Sequence, residues 1–299
     1  MKPPSRRDVL AMLGGVAGLG VGGGDADSTA VAAPADPPLS APADLGSLFP
    51  DVQKMVSDAE FDHSFLQPRH RDWDAYRPLA REQVLDALAY RPAAVDPQAD
   101  VVERDELEGY TREKIIFSTA AGLRVPAYVL IPRGLTEPAP AIVDLHSHGG
   151  MFLFGKEKVV DFGENHPAMV RYHQDNYEGR PTATYWVRRG YVVITIDALM
   201  FGERRVVMAD DEAIFGRDRA GYGAEEVAKL NQVCRGKEPT IVKGLALAGH
   251  TWPGVVTWDD IRTIDYLASR PEVDPRRIGC VGVSFGGHRS LFLAGLDER

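Results

Sequence analysis

The chain has 299 residues and a formal net charge of −9 at neutral pH, so it is long enough for one large α/β domain or two small ones. A composition of 44% apolar and 26% charged residues is that of an ordinary globular protein. The negative charge argues against nucleic acid or an anionic membrane as a partner, and no apolar run has the length of a spanning helix.

The first 32 residues have the pattern of an export signal. Arg6 and Arg7 precede a short, glycine-rich apolar stretch, and the small residues at 30–33 offer a cleavage site. Paired arginines followed by weak hydrophobicity resemble a twin-arginine signal. We therefore expect residues 1–32 to direct export to the periplasm or the medium, with no membrane contact beyond export.

Two segments are predicted between this signal and the first strand. Residues 33–47 are rich in Pro, Ala and Asp, which is typical of a linker. In residues 48–110, apolar residues at helical spacing, such as Val84 and Leu88, predict a helical layer on the main domain. We expect strands to begin near Lys114.

Apolar runs in residues 111–299 predict a mostly parallel sheet. An antiparallel hairpin is expected first, with its turn at Gly122, because apolar runs flank this glycine. A short apolar run follows at 141–145 and enters a glycine-containing loop, and the continuous apolar runs at 191–196 and 278–283 are typical of strands buried on both faces. Strands that alternate with helical patterns predict an α/β fold with helices on both faces of the sheet.

The connection between the last two of these strands is expected to contain helices. Residues 198–256 are too many for a plain loop and are predicted to help form the wall of a pocket. Thr257 and Asp260 have the spacing of a capping box, so a helix is predicted to begin at Thr257. Leu267 belongs to its apolar stripe, and Pro271 ends it.

A G-x-S-x-G pattern follows the last apolar run. Gly282, Ser284 and Gly286 lie between a strand and a helical pattern, which is the context that a nucleophile elbow requires. We predict Ser284 as the nucleophile and the two glycines as the residues that permit the tight turn. The N–H of Phe285, at the start of the helix, is predicted to be one donor of an oxyanion hole.

A second glycine-containing loop, His-Ser-His-Gly-Gly at 146–150, follows an earlier strand. In one interpretation an N–H near Gly150 completes the oxyanion hole. In the other, His146 and His148 lie on one side of the strand end and bind a metal ion. The later strands end in Asp and Ser rather than in further histidines, which favours the oxyanion loop, and no metal or cofactor is predicted.

Other polar residues near these motifs are expected to have lesser roles. Asp197 ends a strand before the serine, so we expect a structural carboxylate. Glu203 and Arg204 either lie near the pocket or form an internal ion pair. His288 is one helical turn after Ser284, and the turn directs the serine away from that helix, so it is poorly placed as a base.

Taken together, the hairpin, the His-Ser-His-Gly-Gly loop and the Gly-Val-Ser-Phe-Gly-Gly elbow resemble the acetyl xylan esterase and dienelactone-hydrolase-like branch of the α/β-hydrolases. The resemblance covers roughly residues 45–299. It implies ester hydrolysis through an acyl-serine intermediate, with small acyl groups on carbohydrate as the leading substrates. Dienelactone hydrolases proper have a cysteine at the nucleophile position, so the serine favours the esterase side.

The same resemblance implies that the domain is incomplete. Only residues 285–299 follow Ser284, whereas the acid and histidine of the family lie after later strands. The strand at 278–283 would then lie at an open edge of the sheet. We expect a fragment of a longer esterase with little or no activity.

Three alternatives stay open. The first is a metal-dependent hydrolase that uses His146 and His148. The second is a non-catalytic fragment that binds carbohydrate, and the third is a peptidase similar to prolyl oligopeptidase. The sequence predicts no oligomeric state.

Overall fold

A six-stranded mixed sheet forms the centre of residues 61–299. The computed structural model describes residues 46–58, 61–206, 208 and 221–299, which belong to two units, residues 1–60 and residues 61–299. The predicted export signal and nearly all of the predicted linker lie outside the described residues. In the first unit the described residues contain helix α1 (Phe49–Ser57), all of which is exposed.

The strands of the sheet are β1 (Asp100–Leu107), β2 (Tyr110–Ala120), β3 (Leu123–Pro132), β4 (Ala139–Leu145), β5 (Val192–Ile196) and β6 (Val273–Gly282). They stand in the order β1-β2-β3-β5-β4-β6. The pairs β1–β2, β2–β3 and β3–β5 are antiparallel, whereas β4 is parallel to both β5 and β6. The predicted hairpin is formed by β2 and β3, which turn at Gly122.

Helices cover both faces of this sheet. They are α2 (Trp73–Leu88), α3 (Pro167–Tyr177), α4 (Thr182–Val187), α5 (Ala224–Leu247), α6 (Trp252–Ala268) and α7 (Phe285–Leu296), with 3₁₀ turns at Pro68–His70, Lys156–Val159 and Gly202–Arg204. None of the helices that the structure describes is long and apolar enough to cross a membrane.

Strand β5 contributes to two separate cores, as its continuous apolar run predicts. Val193 packs with side chains of α3, α4 and α5 on one face of the sheet. Val192 and Ile194 pack with side chains of α6 and α7 on the other face. Because alternate residues of a strand point to opposite faces, both faces of β5 are buried. The prediction of an α/β-hydrolase type of fold is confirmed, but the sheet is mixed rather than mostly parallel, since three of the five described strand pairs are antiparallel.

Strand β6, which leads to the predicted elbow, is an edge strand of the described sheet. Among the described strands it pairs with β4 alone. Its residues Ile278 and Cys280 are only half-buried. The prediction that this strand lies at an edge is confirmed for the part of the chain that the structure describes.

The predicted start of the sheet is wrong by one strand, since β1 lies within the segment that was expected to be helical. It is a charged strand with mostly exposed residues, so it has no apolar pattern to detect. Cross-strand ion pairs join it to β2 instead, such as Arg104 with Glu113 at 2.7 Å. The helical prediction for the same segment is correct for α2, where Leu88 is buried.

The predicted start of α6 is also wrong. The helix begins at Trp252, five residues before Thr257, and its cap is Thr251, whose hydroxyl accepts the N–H of Gly254 at 3.0 Å. Asp260 therefore lies inside the helix, and it is fully buried there. The Thr-x-x-Asp spacing had indicated a capping box that the chain does not use.

Candidate active site

Ser284 lies at a strained turn between β6 and α7. Its φ is 56° and its ψ is −119°, a conformation that residues with a side chain rarely adopt. Two glycines permit this turn. A Cβ on Gly286 would overlap the carbonyl oxygen of Leu145, and a Cβ on Gly282 would overlap the backbone of Gly286. The serine is thereby held in an exposed position at the end of the strand, which is the geometry of a nucleophile elbow.

Phe285 presents an unused backbone donor next to this serine. It is the first residue of α7, and its N–H has no hydrogen-bond partner among the described residues. The first N–H groups of a helix lack an intrahelical acceptor, so this N–H is available to an anion. The Phe285 ring stacks on Trp252 with a centroid distance of 4.9 Å and lies 5.9 Å from Phe201.

The loop at residues 146–150 lies beside the elbow. The ring centroid of His148 is 6.3 Å from that of Phe285. Gly149 and Gly150 have φ values of 52° and 67°, in the left-handed region that favours glycine. The predicted oxyanion loop and the predicted nucleophile are therefore close neighbours.

His146 is completely buried and has no ring nitrogen to spare. Its Nε2 accepts the N–H of Ala198 at 3.1 Å, so the proton must be on Nδ1, which donates to the Ser147 carbonyl at 3.0 Å. Burial and the nearby charge of Lys158 hold the pKa of His146 well below its usual range. The ring is a neutral structural bridge between the ends of β4 and β5.

His148 also uses both ring nitrogens. Its Nδ1 accepts the N–H of Gly150 at 3.0 Å, so its Nε2 carries the proton, which it donates to Glu238 at 3.1 Å. Neither His148 nor His146 therefore has a free lone pair for a metal ion, which contradicts the metal-dependent alternative. The Gly150 N–H, predicted as an oxyanion donor, is already used, whereas the N–H groups of His148 and Gly149 have no partner within the described residues.

A cluster of three carboxylates, Glu157, Asp197 and Glu203, surrounds the ammonium group of one lysine. Their oxygens lie within 4.8 Å of one another, which suits a cation. The ammonium of Lys156 already lies among them, at 3.0, 2.9 and 2.5 Å. Asp197 also accepts two backbone N–H groups, so its role is structural, as expected. Arg204 forms a buried ion pair of its own, which confirms the internal ion-pair interpretation of this segment.

One face of α5 holds the loop region in place. Oδ1 of Asn231 accepts the N–H groups of Phe152 and Leu153 at 2.8 and 3.1 Å. Two helical turns later, Glu238 binds the ring of His148. The sequence predicted helices in this region but did not identify these two residues. The available signal was the spacing of seven residues between two polar side chains on one helix face.

A cavity of about 300 Å³ lies beside the serine, and it is lined by Trp252, Pro253, Val256, Thr257, Ser284, Phe285, His288 and Arg289. Arg289 is buried and is held by Asp260 through two hydrogen bonds of 3.0 and 2.6 Å. The ring of His288 packs against Phe292 with a centroid distance of 4.7 Å. No hydrogen bond within the described residues joins a histidine ring to the Ser284 hydroxyl.

Known proteins resemble this chain over most of its length. The sequence model of the Abhydrolase family matches residues 46–298. The protein YtaP of Bacillus subtilis (strain 168), provisionally named as a hydrolase, is 26% identical over 225 residues. This match covers 75% of this chain and 61% of YtaP.

A solved structure has a similar fold. It is that of a Bacteroides fragilis NCTC 9343 protein provisionally named as an acetyl xylan esterase, with a TM-score of 0.61 and 20% identity. The similarity covers 84% of this chain and 58% of that one. The chain thus spans about three fifths of the length of both relatives.

Proposed function

The chain belongs to the Abhydrolase family of α/β-hydrolases, and on this premise we propose that it hydrolyses carboxylic esters with Ser284 as the nucleophile. The observation that carries the proposal is the backbone of Ser284, with its positive φ between a strand and a helix. Strain of this kind persists only where the surroundings enforce it, and it is typical of reactive residues. The glycines at 282 and 286 supply that enforcement.

In the proposed reaction, Oγ of Ser284 attacks the ester carbonyl carbon while its proton passes to a base. The oxyanion of the tetrahedral intermediate accepts hydrogen bonds from the Phe285 N–H and from the loop at residues 146–150. The alcohol leaves with the proton, and the acyl group stays on the serine. Water then attacks the acyl-serine, which releases the carboxylic acid and restores the hydroxyl.

The base of this reaction is proposed to be a histidine other than the described ones. His146 and His148 use both ring nitrogens, and His288 lies on the helix that follows the serine. We propose that the acid and the histidine of the family follow the serine in the order Ser, acid, His, in the part of the relatives' length that this chain does not span. Hydrolysis by residues 1–299 alone would then be slow, because binding and the oxyanion hole alone leave only residual catalysis.

The proposed substrates are small acyl esters of carbohydrates. A cavity of about 300 Å³ beside Ser284 suits a short acyl chain rather than a long one. The name of the Bacteroides fragilis protein supports acetyl groups, and the twin-arginine pattern in residues 1–32 supports export toward an external polysaccharide.

The test is hydrolysis of a chromogenic acetyl ester by two forms of the protein. One is residues 1–299, and the other includes any residues that are encoded after Arg299. Ser284→Ala should abolish hydrolysis, whereas Ser290→Ala should not, since the Ser290 hydroxyl only donates to the Gly286 carbonyl within α7. Equal rates for the wild type and Ser284→Ala in both forms would refute the proposal.

A further inference from the structure

Lys158 is a fully buried lysine without an acidic partner. Its side chain has no exposed surface, and among the described residues its Nζ forms no ion pair with a carboxylate. Nζ donates instead to two backbone carbonyls, those of Ser147 at 2.7 Å and His148 at 3.1 Å. It also lies 4.4 Å from the ring centroid of Phe201. Burying an amine costs free energy, so a buried lysine that contacts this loop indicates a functional role.

The two carbonyls that Lys158 binds are fixed from a second side as well. The Ser147 carbonyl accepts a further bond from Nδ1 of His146 at 3.0 Å. The His148 carbonyl accepts one from the N–H of Met151 at 3.2 Å. A carbonyl oxygen has two lone pairs, so the acceptor capacity of both groups is filled. The orientation of both peptide planes is therefore determined.

The orientation of these carbonyls sets the direction of two N–H groups. All peptide bonds in the described residues are trans, so each N–H points away from the carbonyl of its own peptide plane. The planes of the Ser147 and His148 carbonyls carry the N–H groups of His148 and Gly149. These are the two loop N–H groups without a partner among the described residues, while that of Gly150 is bound to a ring nitrogen.

We propose that Lys158 is a positioning residue of the oxyanion hole. By pulling the Ser147 and His148 carbonyls into the protein, it turns the N–H groups of His148 and Gly149 toward the acyl oxygen at Ser284. The second oxyanion donor is then one of these two N–H groups, acting with that of Phe285, and not the N–H of Gly150. The inference rests on the proposed ester hydrolysis.

A lysine suits this task in either protonation state. Burial lowers the pKa of Lys158 well below its usual range. A neutral amine still has two N–H donors, which is the number that the two carbonyls require. The loop geometry is thus kept whether or not the amine is charged.

The experiment compares Lys158→Met with a matched control, Tyr177→Phe. The Tyr177 hydroxyl binds the N–H and the hydroxyl of Ser147, so its loss also removes a buried anchor from the same loop, but it leaves both carbonyls in place. Both variants are made in the form of the protein whose hydrolysis depends on Ser284. The readouts are kcat, KM and the affinity for an alkyl boronic acid, which mimics the tetrahedral intermediate.

Lys158→Met should lower kcat about 100-fold, the effect of losing one oxyanion donor, with KM changed by no more than about 3-fold. Boronic acid affinity should fall by a similar factor, because it depends on the same donors. Tyr177→Phe should keep kcat within about 3-fold of the wild type. If Lys158 had only a structural role, Lys158→Met and Tyr177→Phe would lower kcat by similar factors.

The outcomes separate the two proposals. If Ser284→Ala does not abolish hydrolysis, the proposed function is wrong and the role of Lys158 is wrong with it. If Ser284→Ala abolishes hydrolysis while folded Lys158→Met keeps the wild-type kcat, only the role of Lys158 is wrong. If Lys158→Met does not fold, Lys158→Gln and Lys158→Leu are compared, and equal kcat values in these two variants overturn the inference, because only Gln keeps N–H donors.

Discussion

Asp144 gives the protein a pH-dependent stability that a single substitution should remove. The residue lies on β4, between β5 and β6, it is only 1% exposed, and its Oδ2 has no hydrogen-bond partner among the described residues. Burial raises the pKa of this carboxyl from 3.8 to about 7, against weaker opposing effects of the Thr182 side chain and of the Arg289 charge. The folded chain therefore holds a proton that the unfolded chain releases.

The sign and size of the effect follow from this pKa. Because the folded state binds the proton more tightly, the free energy of unfolding falls as the pH rises from about 4 through about 7. The cost to the folded state is roughly 4 kcal/mol at pH 8 and roughly 2 kcal/mol at pH 5. Asp144→Asn has no proton to lose, so its stability relative to the wild type should rise by about 2 to 3 kcal/mol between these pH values.

Urea unfolding of the wild type and of Asp144→Asn at several pH values between 5 and 8 measures this difference. Asp175→Asn is the control, because the Asp175 carboxylate on α3 is well exposed and hydrated in both states. Its stability should follow that of the wild type at every pH. Parallel curves for Asp144→Asn and the wild type would refute the reasoning, since they would mean that the buried carboxyl does not titrate on unfolding.

Three further substitutions test how the elbow and the loop are held. Gly286→Ala should lower the free energy of unfolding by about 3 kcal/mol or more, because its Cβ would overlap a backbone carbonyl. Gly295→Ala in the same helix meets open space and should be neutral or slightly stabilising. Equal urea midpoints for the two variants would contradict this. Arg289→Met should lower the free energy of unfolding by about 3 to 5 kcal/mol, because it leaves Asp260 buried without its partner. The double variant with Asp260→Asn should recover much of this stability. No recovery in thermal unfolding would disprove the pairing. Asn231→Ala should lower the free energy of unfolding by about 1 to 3 kcal/mol, because it leaves two backbone N–H groups unpaired. Asn231→Asp should lower it less, because it keeps an acceptor. The same Tm for both variants would count against this role of Asn231.

The sequence predicted those parts of the fold that depend on local apolar pattern. The runs at 141–145 and 191–196 became β4 and β5, because a strand buried on both faces is mostly apolar along its whole length. The elbow could be recognised because the serine and the two glycines that its turn requires all lie within residues 282–286. Each of these signals lies within a short stretch of chain.

Features that depend on distant contacts could not be predicted in the same way. Strand β1 is charged, and ion pairs with β2 hold it, so it has no apolar face to recognise. Asp260 was taken for a capping residue, whereas it binds Arg289, 29 positions away. Lys158 and Asn231 gain their roles from backbone groups that only the folded loop presents, so their own sequence neighbourhood carries no sign of them.

The distribution of buried charge supports a functional role for this edge of the sheet. Ionisable side chains with at most 2% exposure are concentrated on β4, after β4 and β5, and on the two helices next to the serine, namely Asp144, His146, Lys156, Lys158, Asp197, Asp259, Asp260 and Arg289. Apolar residues of similar size would often give equal or greater stability, so such groups are weak contributors to folding. They can, however, fix the direction of a peptide group or a ring, which apolar packing cannot do. In the proposed oxyanion hole the loop N–H groups point at one atom beside Ser284, and the buried polar groups where the elbow and the loop meet would supply the support that this orientation needs.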